Sequence, residues 1–121
     1  MKREQLLAPE NYNLVEEFER FAGGDGRKAI IWENDKGEKK DLTYDELIKQ
    51  ANRAANSFEA AGLQKGDVVL VMVPRLIEAY VVYIGALKAG LAVIPSSEML
   101  RAKDISYRLN HSEAKAVIAY E

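Results

Sequence analysis

The sequence predicts an α/β fold: a layered, mostly parallel sheet with flanking helices, preceded by an N-terminal β-hairpin. Three observations predict it. Short apolar runs recur at 68–73, 91–94 and 116–120, each after a stretch of helical periodicity. The first run holds six apolar residues without alternation, the pattern of a strand buried on both faces of a parallel sheet. Ahead of them, Asn34-Asp35-Lys36-Gly37 separates two strand-like segments and places a glycine at the tip of a hairpin.

Taken in order, the first element is a helix over 13–22. Asn13 is a cap candidate, Glu16 stands three positions on, and Leu14, Phe18 and Phe21 keep helical spacing. Gly23-Gly24-Asp25-Gly26 ends it, and the hairpin strands follow over 29–32 and 39–42. The next helix has the plainest start in the chain. Thr43-Tyr44-Asp45-Glu46 is a capping box, with Leu42 and Leu47 at the staple positions around it. Leu47, Ile48, Ala51, Ala54, Ala55 and Phe58 then form one apolar stripe, terminated by Gly62. Asp45 and Glu46 also suit the positive end of the helix dipole.

Gly66-Asp67 turns into the strand over 68–73, which Pro74 stops. The helix after it is expected to bury Ile77, Tyr80, Val81, Ile84 and Leu87 and to turn Glu78 and Lys88 outward. Gly90 ends that helix, and 91–94 reads as a second buried strand. A shorter helix carries Ile105 and Leu109 inward, and 116–120 is the third strand. The chain stops directly after it, which leaves an edge uncovered, and truncation of a longer protein is the expectation.

Composition narrows the function classes. The 121 residues suit one domain, and 48% hydrophobic with 30% charged residues marks a folded globular chain. Seventeen basic and nineteen acidic residues nearly cancel and intersperse, so there is no basic footprint for nucleic acid. The absence of cysteine excludes disulfides and thiolate metal sites, and a single histidine excludes a histidine cluster. The N-terminus has no apolar core of signal-peptide length. The stretch 76–94 approaches the length of a membrane span, but Glu78, Gly85, Lys88 and Gly90 interrupt it, so no span is assigned. A cytoplasmic setting is expected.

No residue pattern amounts to a catalytic constellation. The Gly23–Gly26 cluster follows a helix and precedes a strand, the reverse of a phosphate loop, and reads as a turn. His111 closes the last helix, where the negative dipole end accounts for it. Asp45 and Glu46 belong to the cap, and Glu16, Glu17 and Glu19 to a solvated helix face. Ligands of open α/β sheets bind off the carboxyl ends of the strands. Arg75, Ser96, Ser97 and Arg101 occupy the loops so placed and are the residues that would touch a ligand; an ordinary strand-to-helix connection is the competing reading.

Two blocks carry a resemblance. The first is Leu42-Thr43-Tyr44-Asp45-Glu46-Leu47 with its helix and Lys65-Gly66-Asp67-Val68-Val69. The second runs from Ala86-Leu87-Lys88-Ala89-Gly90 through Pro95 to Tyr107-Arg108-Leu109, Ser112 and Ala114-Lys115-Ala116. Together they resemble the first core segments of the adenylate-forming enzymes, the AMP-forming acyl-CoA synthetase superfamily. The run Ile94-Pro95-Ser96-Ser97-Glu98-Met99-Leu100 together with Tyr107-Arg108 resembles the branch that activates medium-chain and other short fatty acids.

The resemblance implies a parent enzyme that joins a fatty acid to ATP with release of pyrophosphate, then transfers the acyl group to coenzyme A. Magnesium would accompany the nucleotide. It implies that residues 1–121 are the first part of that enzyme's large N-terminal domain. The family's phosphate loop with its lysine, its nucleotide segment, its ribose-binding aspartate and its C-terminal lysine have no counterpart here. No catalytic, cofactor-binding or metal-binding residue is therefore assigned to this chain, and the fragment alone is expected to be inactive. Its partners would be the remainder of the parent chain and, through its exposed apolar surface, further copies of itself. The alternatives are a self-standing α/β binding or assembly module, and an adenylate-former for amino or aryl acids.

Overall fold

The computed structural model describes residues 1–121. After a short 3-10 helix at Arg3–Leu6, α1 spans Val15–Glu19, β1 Lys28–Glu33, β2 Lys39–Thr43, α2 Tyr44–Ala60 and β3 Val68–Met72. Then come α3 at Ile77–Lys88, β4 at Ala92–Pro95, α4 at Ala102–Ser112 and β5 at Ala116–Ala119. β1 and β2 form the expected antiparallel hairpin, with Trp32 opposite Lys40 and Gly37 at φ +78° in its turn. β3, β4 and β5 form a separate three-stranded parallel sheet in the order β4-β3-β5. The layered, mostly parallel architecture with flanking helices is what the patterning predicts. No helix is long and apolar enough to cross a membrane.

The capping box forms as read. The Thr43 hydroxyl accepts from the Glu46 amide at 3.2 Å, and the Glu46 carboxylate accepts from the Thr43 amide at 2.9 Å. Leu42 packs into the cluster that holds Leu47, which closes the staple. Both long helices then end in Schellman turns. Gly62 (φ +88°) lets Leu63 donate to the Phe58 carbonyl, and Gly90 (φ +75°) lets Leu91 donate to that of Ala86.

α1 is shorter than the predicted 13–22. The Asn13 side chain accepts from the Val15 amide at 3.0 Å and donates to the Leu87 carbonyl at 3.1 Å, so it caps the helix and ties it to α3 at once. Beyond Glu19 the chain tightens into turns bonded three residues apart, Phe21 to Phe18 and Ala22 to Glu19. Lys88 and Glu19, both expected in solvent, instead form a partly buried ion pair between α3 and α1.

β3 is central, and Val69, Leu70 and Val71 are fully buried, as a two-sided strand requires. β4, expected as a second buried strand, is an edge: Ala92 and Pro95 are exposed and only Val93 and Ile94 are half-buried. Its run is as apolar as that of β3, but position in the sheet decides burial and composition does not reveal position.

Two apolar clusters lie on either side of α3. One joins Val15, Leu47, Ala51 and Ile84 with residues of the hairpin; the other joins Val69, Val71, Ala86 and Leu91 under the sheet. α3 thus packs an apolar cluster on each of two faces and keeps only a narrow rim in solvent, at Glu78 and Tyr80. Its buried set is Ile77, Ala79, Ile84, Gly85 and Ala86. Tyr80, placed inside by the single-stripe reading, is 46% exposed. Where α2 crosses α3, a Cβ on Gly85 would stand 2.6 Å from the Ala54 Cβ, so only glycine permits this approach.

A candidate ligand crevice at the strand ends

The chain leaves β3 through Val73, Pro74 and Arg75 and leaves β4 through Pro95, Ser96 and Ser97, side by side because the strands are parallel and in register from Val68–Ala92 to Val71–Pro95. The crevice between these exits has a volume of about 450 Å³ and is lined by Val73, Pro74, Arg75, Tyr83, Pro95, Ser96, Ser97 and Glu98. It lies where open parallel sheets bind ligands. The hairpin fixes one rim: the Trp32 indole donates to the Arg75 carbonyl at 2.7 Å. The Ser96 amide donates to the Val71 carbonyl at 2.8 Å and holds the other.

Three of the four residues singled out from the sequence meet here. Arg75 extends an exposed cation. Ser97 turns its hydroxyl back on its own loop, where it accepts from the Met99 amide at 3.1 Å. The Ser96 hydroxyl is buried without a partner. Arg101 is not with them; it precedes α4 as an exposed N-cap residue whose side chain makes no capping bond. Tyr83 and Glu98 join the crevice without having been singled out. Glu98 lies in the loop after β4, next to Ser96 and Ser97, whereas Tyr83 reaches the site only through the way α3 packs on the sheet.

The other sequence candidates resolve into structural roles. Gly24 and Gly26 take φ +73° and +72°, and the Gly24 amide donates to both oxygens of Asp45 at 3.2 and 3.1 Å, tying the turn to the start of α2. His111 stacks on Tyr107 with ring centroids 5.5 Å apart. Hydrogen bonds from the amide and hydroxyl of Thr43 hold the Glu46 carboxyl below its ordinary range.

The crevice offers one cation beside a carboxylate, and one of its two serines is already engaged by its own loop. The glycine-rich turn lies elsewhere and is occupied by Asp45. No group of three or more His, Asp or Glu side chains stands ready to hold a metal ion. The arrangement can support a loop and present a cation, and no covalent chemistry follows from it.

Comparison with known proteins decides the relationship. The family model described as AMP-binding enzyme matches residues 18–121. The chain belongs to the AMP-binding enzyme family. It is 46% identical over 120 residues to "Uncharacterized acyl--CoA ligase YtcI" of Bacillus subtilis, covering 99% of this chain and 23% of that one. Among solved structures it resembles an acyl-CoA synthetase of Brucella canis, with a TM-score of 0.87 at 28% identity, over 95% of this chain and 22% of the other. It also resembles the inhibitor-bound N-terminal domain of FACL13 from Mycobacterium tuberculosis, with a TM-score of 0.77 at 29% identity, over 88% of this chain and 26% of that domain. The α/β fold is therefore that of the N-terminal region of this AMP-binding family, and the chain spans less than a quarter of the ligase relative's length.

Proposed function

We infer that residues 1–121 are the first part of the large N-terminal domain of an AMP-forming acyl-CoA synthetase, one that activates a medium-chain fatty acid with ATP and magnesium and passes it to coenzyme A. The observation that carries this reading is the 46% identity to an acyl-CoA ligase over 120 residues. The chain supplies scaffold: β3 to β5, the helices that flank them, and the hairpin that braces the exit of β3. The nucleotide and metal groups are assigned to other parts of the parent, in keeping with the lack of any cluster of three or more His, Asp or Glu side chains here. Inactivity of the 121-residue chain by itself is part of the proposal, as is a cytoplasmic setting for this cysteine-free protein.

The reading frame tests it. Beyond the codon for Glu121 it should continue into a loop rich in Ser, Thr and Gly that carries a lysine, the part that cradles the nucleotide phosphates. A stop codon at that point in the native gene would remove the ligase reading and leave a binding or assembly module.

A further inference from the structure

Four elements meet around an apolar pocket away from the strand ends. α1, the hairpin, α2 and α3 enclose a space of about 400 Å³, and every residue that lines it is aliphatic or aromatic. Leu47 and Ile84, 1% and 7% exposed, form its floor; Leu14 and Tyr80, 50% and 46% exposed, stand at its rim. Protein interiors are packed to near-crystalline density, so a space of this size is no ordinary gap between side chains. With the strand-end crevice it shares only Tyr83.

The lining decides what fits. No charged residue belongs to it, so an ion that entered would give up its hydration and gain no partner. Four rings, those of Phe18, Tyr44, Tyr80 and Tyr83, surround the space and favour a flat guest through offset or edge-on contact. The three phenol hydroxyls are the only polar side-chain atoms in the lining, and each can donate or accept a hydrogen bond. An apolar pocket with a few such groups is the usual form of a small-molecule site. We propose that this pocket binds a small uncharged aromatic molecule whose one hydrogen-bonding group meets a tyrosine hydroxyl. The site stands apart from the proposed ligase chemistry and does not rest on it.

Indole is the probe, with benzoate as its charged counterpart. Titrated into the 121-residue chain, indole should shift the methyl resonances of Leu47 and Ile84 saturably, with a Kd of about 1 mM or tighter. Benzoate should bind about tenfold more weakly or worse. Ala29→Leu grows a side chain into the pocket and should weaken indole binding by about tenfold or more. If that variant fails to fold, Tyr80→Asp sets a charge at the exposed rim and should produce a similar loss. Ile31→Asp, at a 75% exposed position on the hairpin, should leave binding unchanged. Unshifted methyls, equal binding by wild type and the pocket variants, or benzoate as tight as indole would each overturn the proposal. Methyl shifts that follow protein concentration instead of indole would give the pocket to a second copy and overturn it too. The same titration on the intact parent should reproduce the shifts; their loss there would show the pocket covered by another part of the chain, against the proposal. Ligase activity plays no part in either readout.

Discussion

Thr43 and Glu46 exchange three hydrogen bonds at the start of α2, and this small device has a consequence that can be titrated. The two that the carboxylate accepts, from the Thr43 amide and hydroxyl, lower the Glu46 carboxyl from its ordinary value. A carboxyl lowered in the folded state stabilises the fold above its unfolded pKa, and that contribution is lost as the pH falls through the folded value. Thermal melts between neutral pH and pH ~3 should therefore show a smaller acid loss in Glu46→Gln than in the wild type, since glutamine keeps an acceptor for the Thr43 amide but does not titrate. An identical acid limb in both proteins would remove Glu46 from the pH response. The box was legible because both partners lie within one turn. Arg75, Ser96 and Ser97 were legible for a related reason, as strand ends bring their loops together. Arg101 was not, because the distance from β4 to α4 depends on how the intervening loop closes.

At the scale of elements, α3 shows what periodicity misses. A single stripe predicts one buried face, but this helix lies between the sheet and the layer of α1, α2 and the hairpin. Ala79, Gly85 and Ala86 are consequently buried and Tyr80 is left at the rim. The small residues set how closely the layers approach. Gly85→Ala should cost about 1–3 kcal/mol in denaturant unfolding, because the new methyl meets Ala54 and the Ala51 carbonyl with no room to yield. A loss below ~0.5 kcal/mol would show that the helices separate freely, contrary to ordinary core packing. The Lys88–Glu19 pair belongs to the same lesson. Each residue reads as solvated on its own helix, and only the packing of α1 against α3 brings them together. Strand order was hidden likewise: β3, β4 and β5 are similarly apolar, and the central place of β3 comes from connections that cross the sheet in opposite directions.

The whole molecule is a folded layer system with one sheet edge guarded by Pro95 and the other open. It matches less than a quarter of an acyl-CoA ligase. Its crevice gathers an arginine and two serines at the strand ends. The proposed function makes this chain scaffold for a ligase whose chemistry lies in other parts of the parent. ATP–pyrophosphate exchange with a series of short- and medium-chain fatty acids tests it most directly, run in parallel on the 121-residue chain and on the intact parent. Exchange is expected from the parent, strongest with medium-chain acids, and none above background from the chain alone. Exchange catalysed by the 121-residue chain itself, or a folded parent that exchanges with no carboxylic acid, would contradict it.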